Sequence, residues 1–440
     1  MTFLTTPAGW AKVLTGRAGA LGADPADLDA AVKAGAFEGL KKAVRDGATL
    51  TTATVGEANL GGRTGAGHSA ADKWRAVANS PVSQRYVIAN GYGADPSVHT
   101  DAALLAADPY AVIEGLAIAA FATGATDAIL VVRGEDAAAV SRLEGAVGAA
   151  EEAGLLGDDA CGSGYRITVT VRGLQGSYML GEQTSLIRAL EGKRAQPDQV
   201  PPYPTERGLF DKPTLVHGVQ TLAAVPWIVR EGADAYRKAG ADGAAGTMLV
   251  QLRGPQGGVA EVPMGTPLRE LVTLAGGKPD AVKAVLVGGS TGGFVPASAL
   301  DTPFEAGALK AAGATIGSGS VTLVDQRACV VDLARLLTRF AADSACGKSI
   351  PCRIGLRRLS EIGDRIAAGN PRAGDANLMT DLAHDIAASG LCDHERLATL
   401  AFTSAMTHFR DEVDAHLLRS QCPAGVCMPI AMGAGSQGSR

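Results

Sequence analysis

Residues 61–74, GGRTGAGHSAADKW, are the stretch on which the reading of this chain turns. The first seven hold four glycines, which would cost backbone entropy inside a packed helix but suit a bare loop pressed against a ligand. Arg63 and Lys73 put positive charge at either end, as an anionic group such as a phosphate requires. Taken alone, the run is equally a plain turn from loop to helix. Its neighbours decide.

Around this stretch, residues 52–242 alternate strand and helix. Residues 86–89 form a short apolar strand that ends at Asn90, and 110–121 place Val112, Ile113, Leu116 and Ile118 on a helical stripe. A buried-strand run over 128–132 follows, then an alanine-rich helix over 136–153 and an alternating strand over 166–171. Such spacing implies an α/β domain with a largely parallel sheet, whose ligands sit at the carboxyl ends of the strands. Asn90 falls there. On the N-terminal side, residues 1–51 read as short helices over 27–34 and 37–45.

Residues 243–325 change character. Strands at 247–253, 259–263 and 284–287, one helix at 268–275 and glycine-rich turns make a small α+β module. Residues 326–430 are helical: Leu333, Leu336, Leu337 and Phe340 have the spacing of a buried face, and further helices are expected over 378–389 and 397–418. Residues 431–440 read as a tail.

A chain of 440 residues with 46% apolar and 19% charged residues is long enough for several packed domains. Its net charge of −5 gives no reason to expect nucleic acid. The longest apolar run, 111–122, is shorter than the roughly 18 residues of a membrane span and contains Glu114. With no signal-peptide pattern at the start, the expected compartment is the cytoplasm. Of the seven cysteines, Cys161 and Cys329 stand alone. Cys346, Cys352, Cys392, Cys422 and Cys427 fall in the last quarter, where they point to metal or redox work rather than a disulfide framework.

Several blocks now carry a resemblance: GRTGAGHSAADKW, LGEQTSLIRALEG, PPYP, GLFDKPTLVHGVQT, FVPASAL, CGKSIPCRIG and FRDEVDAHLLRSQCPAGVC. In this order, from about Leu60 to Cys427, they resemble the NADH-binding flavoprotein subunit of respiratory complex I. They equally resemble the diaphorase subunits of NAD-linked formate dehydrogenases and hydrogenases. The resemblance implies a Rossmann-like domain that binds FMN and NADH, a β-grasp domain over 243–325 and a C-terminal helical bundle with an iron–sulfur site. It implies an electron-transfer subunit that passes electrons between NAD(H), FMN and an iron–sulfur chain. The implied partners are a small thioredoxin-like 2Fe–2S subunit and a larger iron–sulfur or catalytic subunit.

Carried over by position, the flavin site comprises Gly62, Arg63, Gly65, Gly67, Lys73, Asn90, Tyr178, Gly181, Glu182 and Thr221. Gln183, His217 and Gly218 stand where the family has a glutamate and two asparagines. Thr64 replaces a glycine, His68 a phenylalanine that stacks on NADH, and Gln220 a glutamate; of three acids after Asn90, only Asp95 remains. The cluster positions are Cys346, Ser349, Cys352 and Cys392, with serine in place of one cysteine. A 4Fe–4S cluster with an oxygen or other fourth ligand, a 3Fe–4S cluster and no cluster are all open. So is a second reading, a non-catalytic paralogue kept as a scaffold. Glu182 is also readable as a helix cap, Tyr178 as core, Lys193 and Arg194 as a solvated face, and Cys422 and Cys427 as structural.

Overall fold

The computed structural model describes residues 3–22, 24–63, 67–241, 243–388 and 390–427. Thr64, Gly65, Ser389 and the expected tail over 431–440 lie outside the described residues. The chain divides into two compact units, Met1–Gln251 with Gly258–Thr266, and Leu252–Gly257 with Pro267–Arg440.

The first unit is built on four parallel strands, β1 (Tyr86–Asn90), β2 (Asp127–Arg133), β3 (Thr168–Leu174) and β4 (Thr214–Gly218), in the order β3-β2-β1-β4. The chain winds from β1 out to β3 and returns to the other side of β1. That reversal makes a switch point between β1 and β4, where loops diverge and a ligand fits. The register puts Asn90 opposite Gly218, and Ala89 opposite His217. β4 has no alternating pattern. It is five residues long, follows Pro213 and carries a buried histidine, so it is legible only once its neighbours are known.

Helix Pro109–Thr123 fills the core beside this sheet. Asp108 caps it by accepting the Ala111 N–H, Pro109 starts it where no N–H is needed, and Gly124 ends it at φ 72°. It packs against helix Val219–Glu231. Pro226 there leaves the Leu222 carbonyl without its helical donor, and a Cβ on Gly115 would lie 1.9 Å from that oxygen, so only glycine allows the approach. Buried Glu114 is held by Arg17 at 3.2 Å and by the Leu40 N–H. Among the described residues no single helix is long and apolar enough to cross a membrane; Thr100–Ala107 with Pro109–Thr123 passes such a test only as a pair bent by 97°, and the second helix is core.

β5 (Thr247–Arg253) and β6 (Gly258–Pro263) lie side by side. Buried Glu261 on β6 anchors the N-terminal segment, accepting the N–H groups of Val13, Leu14 and Thr15 at 2.7–2.9 Å and the hydroxyls of Thr15 and Thr247. Replacing Glu261 with Ala leaves these donors unpaired and is expected to cost about 3 kcal/mol. Hydrogen exchange should then rise first at Val13, Leu14 and Thr15. Unchanged protection there would show that this carboxylate is not the anchor.

In the second unit β7 (Val282–Val287) pairs antiparallel with both β8 (Gly293–Pro296) and β9 (Ser320–Asp325). Helices Val330–Ser344, Arg357–Ala367 and Asp375–Ala388 follow. The continuous helix expected over 397–418 is broken. Thr399 separates Asp393–Leu397 from Leu400–His408, and Phe409 leaves helical geometry (φ −127°, ψ 40°) before Arg410–Arg419. Apolar spacing hid these breaks because each short helix buries its own face.

Candidate flavin and iron–sulfur sites

The glycine-rich stretch folds as a narrow hairpin. Gly61 bridges Ser69, and the Gly62 N–H donates to the His68 carbonyl at 3.0 Å. A Cβ on Gly61 would sit 3.0 Å from the Gly67 carbonyl oxygen, and Gly67 turns at φ 62°. The limbs therefore approach tightly, and the left-handed turn at Gly67 favours glycine. Ser69 then caps helix Ala70–Ala78, which carries Lys73 and Trp74.

Arg63 does not offer its side chain to the loop. The guanidinium is buried, donating to the Ala245 carbonyl at 2.7 Å and to the Tyr236 hydroxyl, so it props the hairpin from behind. Its backbone N–H donates to Thr221 Oγ1 at 3.1 Å. That bond ties the hairpin to the start of helix Val219–Glu231, which begins at Gly218 with no side-chain cap. Uncapped amides at a helix start suit an anion.

Lys73 reaches the same end of the sheet. Nζ donates to the Val216 carbonyl of β4 at 2.6 Å and lies 3.5 Å from Gln183 Oε1. Among the described residues no carboxylate pairs with it, and burial pushes its pKa down to about 8. Trp74 Nε1 donates to His217 Nε2 at 3.0 Å, so the proton of neutral His217 sits on Nδ1. Burial and the Lys73 charge hold this histidine well below its ordinary pKa. Here His217 is a fixed neutral group.

Asn90 links the strand end to the second loop. Nδ2 donates to the carbonyls of Leu180 and Gly181 at 3.4 and 3.3 Å, and Oδ1 accepts the Tyr92 N–H. Half-buried Tyr178 begins that turn, and a Cβ on Gly181 would meet Ala94 at 3.0 Å. Glu182 caps helix Gln183–Leu190, accepting the N–H groups of Thr184 and Ser185. Its carboxylate is thus engaged by the backbone. Gln220 is engaged too, bonding Thr100, Asp101 and the Leu249 N–H, while Asp95 accepts from Ser97. A cleft of about 360 Å³ alongside is lined in part by Arg188, Lys193 and Arg207. Each pairs with a carboxylate there, Asp198, Glu191 and Asp211 respectively.

In the second unit Cys346, Ser349 and Cys352 follow helix Val330–Ser344, and Cys392 precedes helix Asp393–Leu397. Glu395, which spacing alone does not mark, enters the same site. The Ser349 hydroxyl donates to Glu395 Oε1, the Leu391 N–H donates to Oε2, and the Cys352 N–H donates to Ser349 Oγ at 3.3 Å. Burial, with Glu395, Cys392 and Cys346 close by, pushes the Cys352 thiol up to about 12. Three sulfurs and a serine–carboxylate oxygen pair therefore converge. No sequence rule singles out a glutamate three residues past a cysteine; only the fold does.

Residues 55–227 match the family described as the Nuo51 FMN-binding domain, and 332–416 the iron–sulfur binding region of NADH-ubiquinone oxidoreductase-F. The chain is 36% identical over 416 residues to the NADP-reducing hydrogenase subunit HndC of Solidesulfovibrio fructosivorans, covering 92% of this chain and 84% of that one. It is 37% identical over 374 residues to the F 2 component of the NADH-quinone oxidoreductase of Rhizobium meliloti, covering 84% and 89%. The chain belongs to this family of NADH-quinone oxidoreductase and hydrogenase flavoproteins. A solved NAD+-reducing NiFe-hydrogenase in its H2-reduced state superposes with a TM-score of 0.79 at 30% identity. That match covers 87% of this chain, which spans 65% of the hydrogenase chain.

As a member of that family, the protein is an FMN- and iron–sulfur-containing electron-transfer subunit. Its residues fit both groups. The hairpin limbs approach closely at Gly61 and Gly67, Lys73 is a cation with no acidic partner among the described residues, and the helix start is uncapped. All three features answer an anionic, flat ligand. At the cluster position, three thiols supply soft donors and Ser349 with Glu395 supplies hard oxygen. Both halves of the family match are present, and no observation favours the scaffold alternative.

Proposed function

We propose that the chain exchanges electrons between NAD(H) and the iron–sulfur chain of partner subunits. FMN, when bound, converts between a two-electron hydride donor and one-electron carriers, which is the chemistry such an exchange needs. The observation that carries this reading is Lys73: a cation without a carboxylate partner among the described residues, at the switch point, beside a glycine hairpin tied to an uncapped helix.

In this reading the backbone at Gly67 and the start of helix Val219–Glu231 hold the phosphate, while the Gly62 and Arg63 N–H groups, donated to the His68 carbonyl and to Thr221, hold the hairpin in shape. Lys73 neutralises the anion. Asn90, Tyr178, Gly181 and Gln183 bound the ring system, and Glu182 positions their loop by capping the helix after it. His217, locked by Trp74, and Gly218 present an uncharged floor. His68, exposed on the hairpin, offers an aromatic face to the nicotinamide where the family has a phenylalanine. Cys346, Cys352 and Cys392 bind iron through sulfur, and Ser349 with Glu395 completes the set through oxygen. Relatives named as hydrogenase and quinone-oxidoreductase components support assembly with others, here a small thioredoxin-like 2Fe–2S subunit and a larger iron–sulfur or catalytic subunit.

The test is the content of the anaerobically purified full chain. About one flavin, released on denaturation, and about three or four irons per chain are expected. A chain that takes up neither, even after reconstitution with FMN, iron and sulfide, would overturn the proposal.

A further inference from the structure

Buried polar groups pair within a core, and beside the flavin site one such pairing is half complete. Trp74 is fully buried and His217 is 5% exposed. Along β4, Val216 packs with Ile88 and Tyr92 on one face of the sheet, whereas Leu215 packs on the other with Trp74 and Leu116. His217 continues the alternation onto the Trp74 side, where Trp74 Nε1 donates to its Nε2 at 3.0 Å. Among the described residues no group pairs with Nδ1. We propose that Trp74 is a positioning residue: it holds His217 as a neutral imidazole whose Nδ1–H serves the flavin as an amide-like donor. This rests on the reading of the site given above.

An indole nitrogen can only donate, so the bond selects among the three forms of the ring. With a proton on Nε2, alone or together with one on Nδ1, two hydrogens would face each other across the contact. Only the form with a bare Nε2 and a protonated Nδ1 satisfies it. The surroundings act in the same direction. Lys73, on helix Ala70–Ala78, is the charged group whose field reaches the ring, and its charge and burial both disfavour the imidazolium. β1 faces His217 with Ala89, and helix Val219–Glu231 opens with the uncharged Val219, Gln220 and Thr221.

The ring stands where a flavin donor is needed. Its neighbour Val216 takes Lys73 Nζ on its carbonyl at 2.6 Å, and Gly218 precedes the uncapped helix. Its strand partner Ala89 leads into Asn90. An asparagine at this position, as in the family, offers an amide N–H at every pH. An unrestrained histidine beside a phosphate would instead gain a proton below about pH 6.5. Trp74 removes that option, so the chain replaces the asparagine without losing a fixed, uncharged donor.

The lock is read without flavin, by nitrogen-15 resonance of the histidine-labelled, stripped full chain. The His217 ring, assigned by its absence in His217→Asn, should show a protonated Nδ1 and a bare Nε2 unmoved from pH 5.5 to 8. In Trp74→Phe the ring should lose this pattern, by tautomer exchange or by titration. Fluorescence titration with FMN then reads the donor. His217→Ala should bind about tenfold more weakly or worse, and His217→Asn within about twofold of wild type at every pH. In Trp74→Phe, His217 can take up a proton beside the bound anion. Its affinity relative to the Trp74→Phe/His217→Asn double variant should therefore rise about threefold or more from pH 7.5 to 6, inside the tenfold-per-unit limit of one proton. Titration of the phosphate and of Lys73 cancels in that ratio. A wild-type ring that titrates, or carries a bare Nδ1, would overturn the lock even where Trp74→Phe fails to fold. With FMN bound, wild-type affinity in His217→Ala or a pH-independent ratio in the second pair would overturn the donor role. A wild-type chain that binds no FMN would remove the site itself.

Discussion

Replacing Lys73 with Met is expected to weaken FMN binding by about two orders of magnitude, the loss that follows when one partner of a partly buried charge pair is truncated. The ammonium has no carboxylate partner among the described residues, so an anionic ligand is its natural counter-charge. Its pKa of about 8 in the ligand-free chain sets the pH dependence. Below pH 8 Lys73 is already protonated, and affinity should be flat. Above pH 8 binding must first take up a proton, so the dissociation constant should rise by up to about tenfold per pH unit until the raised pKa of the complex is reached. In Lys73→Met the profile should be flat throughout. Fluorescence titration of the stripped chain with FMN measures both effects, and a wild-type affinity that ignores pH between 7 and 9 would remove Lys73 from the site.

The second large effect concerns Ser349 and Glu395. With a hard oxygen donor at one position, the corresponding iron is held less firmly than its thiolate-bound neighbours. Brief air exposure of the wild-type chain should therefore release about one iron in four and leave a three-iron centre visible by electron paramagnetic resonance. Ser349→Cys should hold about four irons through the same exposure. Glu395→Ala, which strips the partner from the Ser349 hydroxyl and the Leu391 N–H, should accelerate the loss. Cys352→Ala should leave the chain with almost no iron. Identical iron retention in wild type and Ser349→Cys would show that the oxygen pair does not take part.

Much of the architecture is legible in residue order, because strand and helix periods are local. β1, β2, β5 and the long helix Pro109–Thr123 stand close to where apolar spacing puts them. β4 does not, since five residues with a buried histidine carry no period, and its place in the sheet depends on pairing with β1. The site follows the same division. The glycine hairpin announces itself by composition, whereas the inward turn of Arg63 depends on Tyr236 and Ala245, more than 170 positions away. Glu182, read from position as a flavin residue, is held by the helix it caps. Cys329 reads as solitary until folding brings it to His416 and the 422–427 turn. Convergence over such separations leaves no mark on spacing.

The most direct measurement is an anaerobic titration of the flavin- and iron-loaded chain with NADH, followed by absorbance. Bleaching of the flavin by about one equivalent of NADH, with iron–sulfur absorbance falling as more is added, is the expected result. A flavin that dithionite reduces but neither excess NADH nor NADPH touches would contradict the assignment of a nicotinamide nucleotide as its electron partner.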